Sequence, residues 1–325
     1  SGHMGRTLVS CDDGKSWVHD HSADDRVRCF EDGLDCDHNE HAGTGLAYFD
    51  GWFIATFGWG EPGSIQRSQD GVTWETTLDQ STAGNNTTFA GLMAGGDRLI
   101  AGARNGKLSI DHGAHWVDAG DTNLGEVYNV RTGAYSGFGG GRYVIHAEDN
   151  QHATRVSSDG GKTWQAPSSI PGECGTNSLK LAGNATMLVL PSRDGIVCSS
   201  GDGGDTWQAT DLAGTLESGA IWADGKFMAW GRKGGQGSVV FVSQNGKDWT
   251  SMQGPDFTVG AVAHNPHSGS FVAVSDAWNG WYEAQRFYHS DDGLRWQELA
   301  SGKFKGGHPI RNIAFGTVEG GKSCP

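Results

Sequence analysis

Arg104, Arg193 and Arg232 recur at like positions in three repeated segments of this 325-residue chain. A guanidinium grips a carboxylate through paired hydrogen bonds, so such a trio suits an acidic sugar such as a uronate. In the same alignment Glu148 and Asp276 fall at the ends of second strands. His41, Glu126, Glu217 and His308 fall just ahead of innermost strands. Carboxyl and imidazole groups act as general acids and bases on glycosidic bonds, which makes these six the catalytic candidates. Trp59, Trp278 and Trp281 reach the same end and offer flat apolar faces for sugar rings. A competing reading makes the arginines structural, paired with Glu148, Asp276 or Asp194 in a rim network. His41, Glu126, Glu217 and His308 also form a candidate divalent-metal ring, since imidazole and carboxylate suit zinc or manganese. A water-filled channel without metal is the plainer alternative, and no other cofactor is implied.

A repeated turn positions these residues. Seven times a serine, an acid or amide, a glycine and a tryptophan return in order, at 10–17, 68–74, 109–116, 157–164, 200–207, 243–249 and 290–296. Asp and Ser side chains bond backbone N–H groups a few residues on, and glycine supplies the positive φ of a tight turn. The tryptophan then opens the next strand and buries its ring between neighbouring sheets. The acids of these boxes are therefore read as structural. Four boxes are one residue longer than the other three, read as a turn-length variant with the same chemistry. The tryptophans recur about every 46 residues, the size of a four-stranded propeller blade. Runs such as Gly45-Leu-Ala-Tyr-Phe49 and Trp52-Phe-Ile-Ala-Thr-Phe57 have strand character, and no stretch holds a helical period. The expected fold is all-β: one seven-bladed propeller of four-stranded blades over residues 5–325. Ser1-Gly-His-Met4 reads as a cloning remnant.

Thr7-Leu-Val-Ser10 reads as a third strand, with too little chain ahead of it for two inner ones. Arg311-Asn-Ile-Ala-Phe-Gly316 follows the last box and reads as an innermost strand. Strands from both termini are thus expected to share one blade and close the ring, which hides its edges. The second strand of that blade is not evident. Six cysteines predict three disulfides and an oxidising compartment, extracellular or periplasmic. The expected pairs are Cys29 with Cys36, Cys174 with Cys198, and Cys11 with Cys324 across the shared blade. No Cys-x-x-Cys spacing supports a zinc site.

The formal net charge of −14 argues against nucleic acid and anionic membranes as general partners. No apolar run approaches the ~20 residues of a membrane-spanning helix. The 53 glycines are spread through turns rather than clustered, which fits a folded body and not low complexity. A monomer is expected.

The box Ser-x-Asp-x-Gly-x-Thr-Trp, at 157–164 and 200–207, resembles the Asp-box (bacterial neuraminidase repeat) family. The resemblance covers essentially the whole chain. It implies a propeller like those of sialidases, xyloglucanases, some polysaccharide lyases, sortilin-type receptors and a photosystem assembly factor. It also implies that the boxes lie on one face and the functional cleft on the other. Sialidases of the family have six blades and an Arg-Ile-Pro motif; here Pro309-Ile310-Arg311 runs in reverse, so a typical sialidase is not expected. The expected function is secreted and carbohydrate-active, cleaving a glycan as a glycoside hydrolase or polysaccharide lyase. A non-catalytic lectin and a protein-binding scaffold or receptor-type propeller are the alternatives.

Overall fold

The computed structural model describes residues 1–2, 6–21, 43–58, 63–79, 89, 91–102, 107–120, 130–147, 153–276, 285–299 and 309–318. Two compact units divide the chain. One comprises Ser1–Ala90, His112–His115 and Gly260–Pro325; the other comprises Gly91–Asp111 and Trp116–Val259.

Each blade is an antiparallel meander whose composition changes from strand to strand. Second strands such as Trp52–Phe57, Arg142–Ala147, Leu188–Pro191 and Phe271–Ser275 are apolar and mostly buried along their length. A strand covered on both faces needs a continuous apolar run rather than alternation. Outer strands such as Glu75–Asp79 and Thr250–Gln253 are polar and largely exposed, which discourages edge-to-edge pairing. Within each unit the core lies between neighbouring sheets. In the second unit Val144, Val156, Leu188, Leu190 and Trp207 form one cluster, and Val197, Phe227, Val239 and Phe241 belong to the next.

The fold is an all-β propeller with six blades of about four strands among the described residues. Seven full blades were expected. The 130–157 blade has three strands, its fourth reduced to a bridge from Val156 to Gln165; the 214–253 blade gains a fifth, Gly214–Leu216. Outside the six, Thr7–Val9 and Val18–His21 form a two-stranded sheet. Residues 309–318 form no ladder, Ile310 making an isolated bridge to Gly2.

In the first unit those ten residues are held from both sides. Gln285 Nε2 donates to the carbonyls of Ser275 and Ile310 at 2.9 Å each, and its Oε1 accepts from Ile310 N–H at 2.7 Å. Opposite, Asn312 Nδ2 donates to the Gly43 carbonyl at 2.9 Å. Ser1 and Gly2 are not loose: both are buried, and the Ser1 ammonium donates to the Asn312 carbonyl at 2.8 Å.

Serine and acid side chains of the boxes bond within their own turns. In the 157–164 box Ser157 Oγ donates to Asp159 Oδ1 and accepts from Gly161 N–H, both at 2.8 Å. Asp159 also accepts from the amides of Lys162 and Thr163 and from Thr163 Oγ1. Trp207 Nε1 donates to the Gly204 carbonyl at 2.8 Å, a bond repeated by Trp74 and Trp249. Carboxylates so engaged are turn keystones. The length variant does add something: the extra residue (Asp13, His112, Gly160 or Gly203) takes positive φ and faces a neighbouring blade. Asp13 accepts from Asn265 and Ser270 at 2.6 Å, while Arg98 donates to the Gly160 carbonyl at 3.0 Å.

Burial opposes ionisation of Asp159, but bonds from Thr163, Ser157 and Lys162 prevail and hold its pKa down at about 2. A carboxyl depressed below its unfolded value of about 3.9 contributes stability above that pH and loses it as pH falls toward 2. Asp159→Asn is therefore expected to flatten the acid limb of a Tm-against-pH curve below about pH 4, where the wild type falls. Parallel curves would refute this. Asn245 already plays the part in its own box, accepting from the amides of Lys247 and Asp248 at 2.9 Å.

Candidate functional site

The second unit gathers Arg193, Glu217, Arg232 and Thr258 at the sheet ends opposite the boxes. Gly214–Leu216 pairs with Lys226–Lys233, setting Thr215 against Arg232 and Leu216 against Gly231. Gly231 is needed for this approach, because a Cβ there would lie 1.9 Å from the Thr215 carbonyl oxygen. Glu217 N–H donates to the Trp230 carbonyl at 2.9 Å, which fixes the acid beside Arg232. Arg232 Nε donates to Glu217 Oε1 at 2.7 Å, and a terminal nitrogen donates to Thr258 Oγ1 at 3.2 Å. The Glu217 side chain is 14% exposed and that of Arg232 61%. The carboxylate is sheltered, while the guanidinium, with five N–H donors, keeps capacity for a ligand.

Arg193 sits in the turn after Leu188–Pro191. Its N–H donates to the Asn177 carbonyl at 2.9 Å, and its carbonyl accepts from Leu216 N–H at 3.0 Å. Its backbone is thus tied to the residue preceding Glu217. The exposed guanidinium has no hydrogen-bond or ion-pair partner among the described residues. Asp194 is engaged elsewhere, accepting from Asn177 Nδ2 at 2.7 Å. The loop carrying Asn177 is anchored by the Cys174–Cys198 disulfide, whose cysteines are buried, and by the buried His146 ring 3.2 Å from the Gly175 carbonyl. Arg193 and Arg232 therefore do not pair with Asp194: Arg232 bonds Glu217, and the Arg193 side chain has no partner among the described residues.

Lys180 was missed in the sequence. It is exposed, and its backbone is packed against Gly219. Desolvation pushes its ammonium pKa down to about 8. Its only sequence signal is a lone cation in the small, apolar run Leu179-Lys-Leu-Ala-Gly183. In the first unit, burial lowers the Arg311 pKa, and the charge of Asp276 partly restores it. Asp276 directly follows Phe271–Ser275, near the position expected for it.

Trp230 is 1% exposed and belongs to the core. His41, Glu126, Glu148, His308, Trp59, Arg104, Trp278 and Trp281 lie outside the described residues, as do Cys29, Cys36 and Cys324. Among the described residues no group of three metal-ligating side chains occurs. Cys174–Cys198 forms as expected, and Cys11 is also disulfide-bonded, to a partner outside the described residues.

No protein-family model matches the chain, and no curated protein does. Solved structures are similar. Ycf48 bound to a D1 peptide is 16% identical with a TM-score of 0.55, over 82% of this chain and 84% of that one. Ycf48 from Cyanidioschyzon merolae is 13% identical at 0.55, over 81% and 86%. A GH74 enzyme of Niastella koreensis is 16% identical at 0.58, over 79% of this chain and 45% of that longer one. At these identities the likeness speaks for fold alone. The disulfide is consistent with an oxidising compartment. The chain is a β-propeller structurally similar, at a distance, to the Asp-box-type propellers of Ycf48 and GH74.

Proposed function

We propose that this protein is a secreted, carbohydrate-active propeller that binds and cleaves an acidic glycan at the sheet ends opposite the boxes. The observation that carries the reading is the sheltered Glu217 carboxylate bonded to Arg232, with the open Arg193 tied to the adjoining backbone. Arg193 and the free edge of Arg232 would grip a sugar carboxylate. Glu217, sheltered and paired with Arg232, suits the role of base or nucleophile. The GH74 likeness supports a glycan substrate. Asp276, Glu126, Glu148, His41 and His308 remain candidates for the acid, and Trp59, Trp278, Trp281 and Arg104 for sugar contacts.

The finer architecture belongs with this reading: the two-stranded 7–21 sheet and residues 309–318 make the seventh blade, shared by both ends of the chain. A second reading, a protein-binding scaffold, is favoured by the Ycf48 structure, whose partner is a peptide.

Incubation with a panel of neutral and uronate-containing polysaccharides tests the proposal. New reducing ends are expected from a hydrolase, or an unsaturated, ultraviolet-absorbing product from a lyase. Saturable binding without product would make the protein a lectin. No binding to any glycan would leave the scaffold.

A further inference from the structure

In the first unit the box turns 10–17 and 68–74 border a cavity of about 120 Å³, walled by Leu8, Trp17, Leu46, Phe53, Trp74 and Phe315. The packing around it is loose. Where the 130–157 and 182–211 blades meet, Val144 and Leu188 are fully buried and Trp207 nearly so. Here all six wall residues are only half-buried. The box glycines tell the same story. A Cβ on Gly204 would strike a Val144 methyl at 2.5 Å, whereas one on Gly71 would meet only Val9, at 3.2 Å. Protein interiors leave few voids larger than a water molecule. An engineered cavity of about 150 Å³ walled by Leu, Ile and Phe takes up benzene, so one aromatic ring suits a space of this size.

The wall also carries polar groups that lack partners. Trp74, Trp207 and Trp249 each donate the indole N–H to the glycine carbonyl of their own box. Trp17 Nε1 is buried and has no partner among the described residues. Ile313, Ala314 and Phe315 also border the cavity, and their backbone makes no hydrogen bond among the described residues. Asp70, the one carboxylate on the wall, accepts from Ser68 Oγ and from the amides of Val72 and Thr73. Its charge is thus spent within its own turn, and the wall favours a neutral ligand.

We propose that this cavity binds a small neutral aromatic molecule carrying one hydroxyl, of the phenol class. The ring lies among Trp17, Phe53, Trp74 and Phe315. Its oxygen accepts from Trp17 Nε1, and its hydroxyl donates to a backbone carbonyl of residues 313–315. A purely apolar cavity rejects a phenol, because the hydroxyl would leave water and stay unpaired. The site shares no residue with the Glu217–Arg232 pair and does not depend on the glycan reading.

Titration calorimetry of the full chain with phenol and with benzene tests the proposal. Both are expected to bind saturably, with Kd of about 1 mM or tighter. Trp17→Phe keeps an aromatic anchor and removes the N–H. It is expected to weaken phenol about tenfold and to leave benzene within about twofold. Ala314→Leu is expected to fill the space, abolishing binding of both probes without lowering Tm. Absence of saturable phenol binding to the wild type overturns the proposal, and benzene binding without phenol would mark the cavity as purely apolar. Equal weakening of both probes in Trp17→Phe overturns it too, since the N–H then has no part. So does unchanged binding in Ala314→Leu, which would place the probes elsewhere.

Discussion

Glu217→Gln is expected to cut turnover of an acidic glycan by about 10²–10⁴-fold, the usual contribution of a positioned acid or base. Arg193→Ala is expected to weaken capture of the same substrate by about 10–100-fold, the value of a charge-assisted hydrogen-bond pair. Neither change has much to do with folding. The Arg193 side chain has no partner among the described residues, and Glu217 pairs with an arginine that is 61% exposed. Pairs open to water contribute ~0–1 kcal/mol, so Tm is expected to stay within about 3 °C in both variants. Uronate-free substrates are expected to be insensitive to Arg193→Ala, which separates carboxylate recognition from catalysis. Full activity in both variants would place the site elsewhere.

Trp207→Ala is the second large effect, on stability: a loss of about 3–5 kcal/mol is expected from the cavity and the lost transfer energy. The indole is 3% exposed, packs among Val144, Val156 and Leu188, and ties its own turn through Nε1 to the Gly204 carbonyl. Its removal therefore opens the core between two blades and frees the turn at once. Gly204→Ala attacks the same junction differently. The residue has φ 94°, and a Cβ would sit 2.5 Å from a Val144 methyl. Denaturant unfolding of both variants measures the junction. A loss under 1 kcal/mol for Trp207→Ala would refute its anchoring role.

The strands and box turns were legible because their chemistry is short-range. Ser157, Asp159, Gly161 and Thr163 satisfy one another within seven residues, so their spacing alone announces the turn. The apolar second strands and polar fourth strands announce their depth in the blade in the same way. The disulfide Cys174–Cys198 was also within reach, both members belonging to one repeat unit. The extra box residue was misjudged, because its partners stand on another blade: Asp13 meets Asn265 and Ser270 across more than 250 positions.

By itself, then, the amino-acid order determined an all-β chain of repeated blades with structural acids in its turns and tryptophans in its core. Tertiary structure decided which charges meet. Arg232 bonds Glu217 rather than Asp194 or Asp276, and the Arg193 side chain has no partner among the described residues. It also decided that six blades form among the described residues, one of them with three strands. The physical reason is common to all of these. A turn is closed by neighbours in sequence, whereas a site is closed by strand register, and a shift of one residue sends every side chain to the other face.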